Sequence, residues 1–77
     1  MSLHDYSTRY EKLVEKLKQA RVNAGLTQTE VAKHLRKGQH FVSRIETGQR
    51  RIDVIELQEL AKIYNLPISF FLNDTCN

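Results

Sequence analysis

The 77-residue sequence predicts an all-α fold, a small bundle of five short helices. Three observations carry that prediction. Apolar residues recur at helical spacing along the chain, and no stretch sustains the alternation of a strand. A Thr or Asp stands three residues ahead of a Glu at Thr8–Glu11, Thr27–Glu30 and Asp53–Glu56, the pattern of a capping box in which each side chain serves a backbone N–H of the other. Gly25, Gly48 and Asn65 stand where apolar stripes run out, as residues that tolerate a left-handed stop.

Each element follows from these signals. The first helix is expected to start near Thr8, with Leu13, Val14, Leu17, Ala20 and Ala24 on one face and Gly25 as its stop. The second begins after Thr27, carries Val31, Ala32 and Leu35, and ends near Leu35 or Arg36. Arg36, Lys37 and Gly38 form a three-residue turn. A third helix then runs from about Gln39 to Thr47, and only Val42 and Ile45 on it belong to a core. Residues 49–52 make a loop. Asp53 caps a fourth helix with the stripe Leu57, Leu60, Ala61 and Tyr64, and Pro67 opens a last helical turn with Phe70, Phe71 and Leu72.

The length fits one domain over 1–77, with a core of about 8–72. Its 40% apolar and 27% charged residues are those of a globular chain. The net charge is +3, unevenly spread: residues 1–26 carry +2, residues 27–51 carry +4 and residues 52–77 carry −3. A basic middle suggests a polyanionic partner, although charge alone leaves a solvated basic face equally open. The single cysteine, Cys76, forms no internal disulfide and fits a reducing cytoplasm. No apolar run approaches the ~20 residues of a membrane span, and the first residues lack the basic start and apolar stretch of a signal peptide. His4, His34, His40 and Cys76 lack the spacing of zinc ligands. Phosphate-binding glycine loops and nucleophile motifs are absent from the sequence, so no metal, no cofactor and no enzymatic activity are expected. Nor is there room for a separate ligand-sensing domain.

Two short helices joined by a tight turn, the second poor in apolar residues, form the pattern of a DNA-reading helix-turn-helix, here over about 28–47. The second helix docks by a narrow stripe and offers the rest of its surface to a groove ~12 Å wide. The segments LTQTEVAKHL at residues 26–35 and QHFVSRIETG at residues 39–48, with the later motif LQELAKIYNL from Leu57 to Leu66, resemble the Cro/phage-repressor (XRE) family. Members of that family are themselves the standard helix-turn-helix examples. The resemblance covers about residues 13–72. It implies five helices and a regulator, most simply a repressor, that binds double-stranded DNA as a homodimer on a palindromic operator, in the cytoplasm and at the nucleoid. It implies that Gln39, His40, Ser43 and Arg44 face the bases, and that Thr27, Gln28, Lys37, Arg50 and Arg51 touch the DNA backbone. It also implies a partly buried salt bridge between Arg21 and Glu46. Two departures stand out: Arg36-Lys37-Gly38 replaces the usual Gly followed by a small apolar residue, and Phe41 is a large aromatic where many relatives are small or polar.

Two adjacent phenylalanines cannot both face inward on one short helix, so Ile68, Phe70, Phe71 and Leu72 are expected to supply the dimer interface. The alternative is a protein-interaction module of the same fold, antitoxin- or coactivator-like. Such a module would expose apolar residues on its third helix, where this chain has Gln, His, Ser and Arg. RNA is a weaker partner, because a helix does not readily enter the narrow major groove of A-form RNA.

Overall fold

The computed structural model describes the backbone of residues 3–73 and the side chains of residues 8–73. Among these residues the chain forms five helices and no strands: α1 (Leu3–Asn23), α2 (Gln28–His34), α3 (Phe41–Glu46), α4 (Val54–Ile63) and α5 (Ile68–Leu72). No helix among the described residues is long and apolar enough to cross a membrane, and none of their His, Cys, Asp and Glu side chains cluster as a metal site would require. Cys76 and the side chain of His4 lie outside the described residues.

The core forms where the helical stripes meet. Leu17 and Ala20 of α1, Val31 and Ala32 of α2, Val42 and Ile45 of α3, and Leu57, Leu60, Ala61 and Tyr64 of the α4 segment are all buried, together with Phe71 of α5. Leu13, Leu26, Leu35, Phe41, Ile52, Ile63, Leu66 and Ile68 pack around them. Thr27 and Asp53 make the expected capping boxes. Thr27 Oγ1 accepts from Glu30 N–H at 3.1 Å and Asp53 Oδ1 from Glu56 N–H at 2.8 Å, while each glutamate carboxylate accepts from the N–H of its cap residue. Such a cap contributes ~1 kcal/mol.

Three expectations need correction. The first helix starts at Leu3, not near Thr8, so Thr8 lies inside it rather than at a cap. No Gly or Pro separates the two positions, and extending a helix gains one hydrogen bond per residue fixed, which outweighs a local capping preference. Ala24 is exposed, because the chain turns away at that point. The third helix starts at Phe41, so Gln39 and His40 lie in the turn before it. His40 is the N-cap, with φ −94° and ψ 0°, and no side chain caps this end.

The first four helices end alike. The N–H two residues beyond the cap reaches back to the third-last helical carbonyl (Leu26 to Arg21, Lys37 to Ala32, Gln49 to Arg44, Leu66 to Ala61), the Schellman arrangement. It requires a left-handed residue just past the cap. Gly25, Gly48 and Asn65 fill that position as the sequence suggests, but after α2 it falls on Arg36, with φ 58°. Gly38, displaced along the turn, has no positive φ. A residue with a Cβ pays ~1–2 kcal/mol in this conformation, against the roughly 0.5–1 kcal/mol of extra chain entropy that Gly loses on folding. Arg36→Gly is therefore expected to stabilise the domain by about 0.5–1 kcal/mol. Urea melts would show this as a higher midpoint at unchanged slope.

Candidate nucleic-acid interface

Val42 and Ile45 are 2% and 1% exposed and anchor α3 to the core. They lie three apart, so a single narrow stripe holds the helix and its other sides are left for Phe41, Ser43 and Arg44. Arg44 is exposed and Ser43 half-buried. His40 and Arg44 are one turn apart on the same side, and Gln39 Nε2 lies 3.3 Å from His40 Nε2. Gln39, His40 and Arg44 thus line one shallow concavity with Lys37, Phe41 and Arg50, whereas Ser43 stands outside it.

The C-terminal end of α3 is fixed by a partly buried network. Arg21 Nε donates to Glu46 Oε2 at 2.8 Å and Arg21 Nη2 to Glu46 Oε1 at 3.2 Å, while Nη1 donates to the carbonyl of Leu26 at 2.9 Å. Gln28 Nε2 donates to Glu46 Oε1 at 2.9 Å. The side chains of Arg21 and Glu46 are 13% and 4% exposed, so the pair is shielded and the Glu46 bond drives the guanidinium pKa further up. This one carboxylate ties α3 to α1 and to the start of α2, and Arg21 carries the tie on to the α1–α2 loop, which fixes the angle at which α3 leaves the body. Gln28 keeps a second amide hydrogen outside this bond. Thr27 is more committed, because its hydroxyl and its N–H both serve the capping box.

Tyr64 packs near the same network. Burial, with the Glu46 carboxylate adding to it, pushes its hydroxyl from 10.0 up to about 12. The raised value means that the neutral form is favoured by folding. The stability it contributes is complete below pH ~10 and is lost as the pH rises through 12. An ultraviolet titration of the wild type minus that of Tyr64→Phe should show a transition near 12. A difference centred at 10 would mean that the ring is solvated.

The loop after α3 is held from both sides. Tyr10 Oη of α1 accepts from Ile52 N–H at 3.2 Å, and the Arg51 guanidinium lies 4.2 Å from the centre of the Tyr10 ring. Arg50 is engaged differently from its expected role as a backbone contact. Its Nη1 and Nη2 donate to Glu56 Oε1 and Oε2 at 2.8 and 2.9 Å, and its guanidinium stacks 4.8 Å from the centre of the Phe41 ring. Lys37 Nζ approaches the same ring at 5.4 Å. Phe41 is half-buried and packs against the core, so the aromatic serves as a platform under two cations. Sequence reasoning missed Tyr10 and the Glu56–Arg50 pair; in the sequence Glu56 is legible only as a capping partner.

Ile68 is half-buried, and Phe70 and Leu72 are 44% and 54% exposed. Phe71 is 2% exposed within this one chain, which corrects its assignment to a dimer interface: it is a core residue.

Known proteins resemble this arrangement. The helix-turn-helix family model matches residues 17–71, from within α1 to Phe71. An "Uncharacterized HTH-type transcriptional regulator YqaF" of Bacillus subtilis (strain 168) is 34% identical over 61 residues, 79% of this chain and 80% of that protein. The structure of an "XRE-family like protein from Pseudomonas syringae pv. tomato str. DC3000" matches with a TM-score of 0.84 at 36% identity, covering 90% of this chain and 84% of that one.

Proposed function

The chain belongs to the XRE-type helix-turn-helix family of DNA-binding transcriptional regulators, and from that premise we propose that it is a repressor that binds a palindromic operator as a homodimer. The observation that carries the proposal is α3 itself. It is pinned by Val42 and Ile45, and Arg44 on it and His40 and Gln39 just before it stand exposed in the most basic third of the chain. Arg44 is suited to guanine and Gln39 to adenine, since each can make two bonds to one base edge. His40 adds a third polar group on the same side, and Ser43 a fourth at the flank. Lys37 and Arg51 supply cations for phosphates, with Gln28 and the Thr27 end of α2 beside them; such contacts position and do not read.

One short helix reads few base pairs. Two copies related by a two-fold axis would place their α3 helices about one turn of DNA apart, ~34 Å, and the exposed Phe70 and Leu72 with Ile68 offer an apolar surface for that pairing. Repression needs only occupancy of the site, which the DNA-binding unit supplies. The reading places the protein at the nucleoid in the cytoplasm and requires no cofactor.

Arg44→Ala and Lys37→Ala separate reading from positioning. Arg44→Ala should cost about 1–3 kcal/mol on the preferred duplex and relax the preference at one base position. Lys37→Ala should weaken all duplexes alike and flatten the salt dependence by about 0.9 in log–log slope. Equal behaviour of the two variants on preferred and scrambled duplexes would refute the assignment.

A further inference from the structure

Arg50 stands at the edge of the reading surface, with a side chain 41% exposed, yet its two-pronged end is already occupied. Both terminal nitrogens donate to the two oxygens of Glu56, and Nη1 also donates to the carbonyl of Arg51 at 2.9 Å. This is the geometry in which a guanidinium grips a phosphate. Glu56 does not owe its own position to Arg50. Its Oε1 accepts from Asp53 N–H at 3.1 Å in the α4 capping box, and its side chain is 12% exposed. The carboxylate is therefore set in place by the start of α4, and the arginine comes to it. Phe41 lies against the guanidinium, 4.8 Å from ring centre to its central carbon, and Lys37 shares that ring. Two cations over one ring repel each other, and Glu56 offsets that repulsion.

We propose that Glu56 is a positioning residue of the DNA-binding surface: it holds Arg50 as a neutralised ion pair against Phe41, so that Arg50 braces the start of α3 instead of binding a DNA phosphate. The proposal rests on the DNA-binding reading above. Backbone affinity comes from cations that displace counterions, about 0.9 of log–log salt slope for each phosphate neutralised. A guanidinium already paired within the protein releases none. Glu56 thereby keeps one of the arginines beside α3 out of the backbone contacts, and the Phe41–Arg50 stack becomes part of the scaffold that aims α3, while Lys37 stays available to a phosphate.

The test is a salt titration of binding to a labelled random-sequence duplex by anisotropy, using the full chain. Glu56→Gln retains both capping bonds, since Gln serves at this position of a capping box, but loses the charge that holds Arg50. Its slope is expected to steepen by about 0.9, so that from 50 to 200 mM salt it loses roughly threefold more affinity than the wild type. Glu59→Gln, the same charge change one turn along α4, is expected to leave the slope unchanged. Arg50→Ala alone, which leaves the cap intact, is expected to keep the wild-type slope, and Arg50→Ala with Glu56→Gln to return to it. The proposal is overturned if Arg50→Ala by itself flattens the slope by about 0.9, if Glu56→Gln matches Glu59→Gln, or if the double variant stays steep. Those outcomes leave DNA binding intact. A wild-type protein with no salt-dependent binding would overturn both readings together.

Discussion

Glu46→Ala is expected to remove about 3 kcal/mol of stability, enough to lower the melting temperature of a domain this size by on the order of 15 °C. The substitution takes away both bonds to Arg21 and the bond to Gln28, and leaves the guanidinium of a side chain that is 13% exposed with only the Leu26 carbonyl among the partners it has in this network. Most of the cost is that stranded charge rather than the intrinsic worth of the pair, as is usual when one partner of a buried ion pair is deleted. Glu46→Gln should fall between, since an amide can accept from Arg21 but carries no charge. A Glu46→Ala protein that melted like the wild type in urea and heat would show that the network does not brace α3.

Phe71→Ala should cost about 3–5 kcal/mol, against a total stability on the order of 4–11 kcal/mol for a chain of this length. Urea melts followed by far-ultraviolet circular dichroism should then show a much lower midpoint at unchanged slope. The residue is 2% exposed, sits among the residues of the core cluster and meets Phe70 edge-on, with centroids 5.1 Å apart and planes at 89°. The neighbouring substitution should behave in the opposite way. Phe70 is 44% exposed and lies beside Lys16. Phe70→Ala should leave a folded chain and, if the proposed homodimer uses this face, a lighter species by sedimentation at micromolar concentration. Loss of the fold in Phe70→Ala with a stable Phe71→Ala would invert the assignment.

The contrast between these two residues marks where sequence reasoning stops. That one of two adjacent phenylalanines must face outward follows from helical geometry, but which one depends on how α5 rotates as it meets α1, and that is set by tertiary packing. Elements were legible wherever a signal was local: Thr27 and Asp53 cap as their spacing requires, and Gly25, Gly48 and Asn65 stop their helices. The start of α1 was misread because Thr8–Glu11 satisfies a capping pattern inside a segment with nothing to interrupt a helix. The start of α3 was misread because Gln39 and His40 carry no capping preference to mark a boundary. Among the candidate site residues, Arg21 and Glu46 are paired as the family resemblance implies. The Arg50–Glu56 pair was hidden because Glu56 already had a complete local role, and a second partner six residues away on a loop leaves no periodic trace.

The central claim is that α3 reads DNA sequence. The most direct test is selection from a random duplex library at ~150 mM salt, close to physiological screening, followed by sequencing of the retained pool. The account predicts enrichment of an inverted repeat whose half-sites lie about one helical turn apart, and loss of one specified base position in each half-site when the selection is repeated with Arg44→Ala. A retained pool with no sequence preference, bound only weakly and released by modest salt, would contradict it and would redirect the search to a protein partner for the same surface.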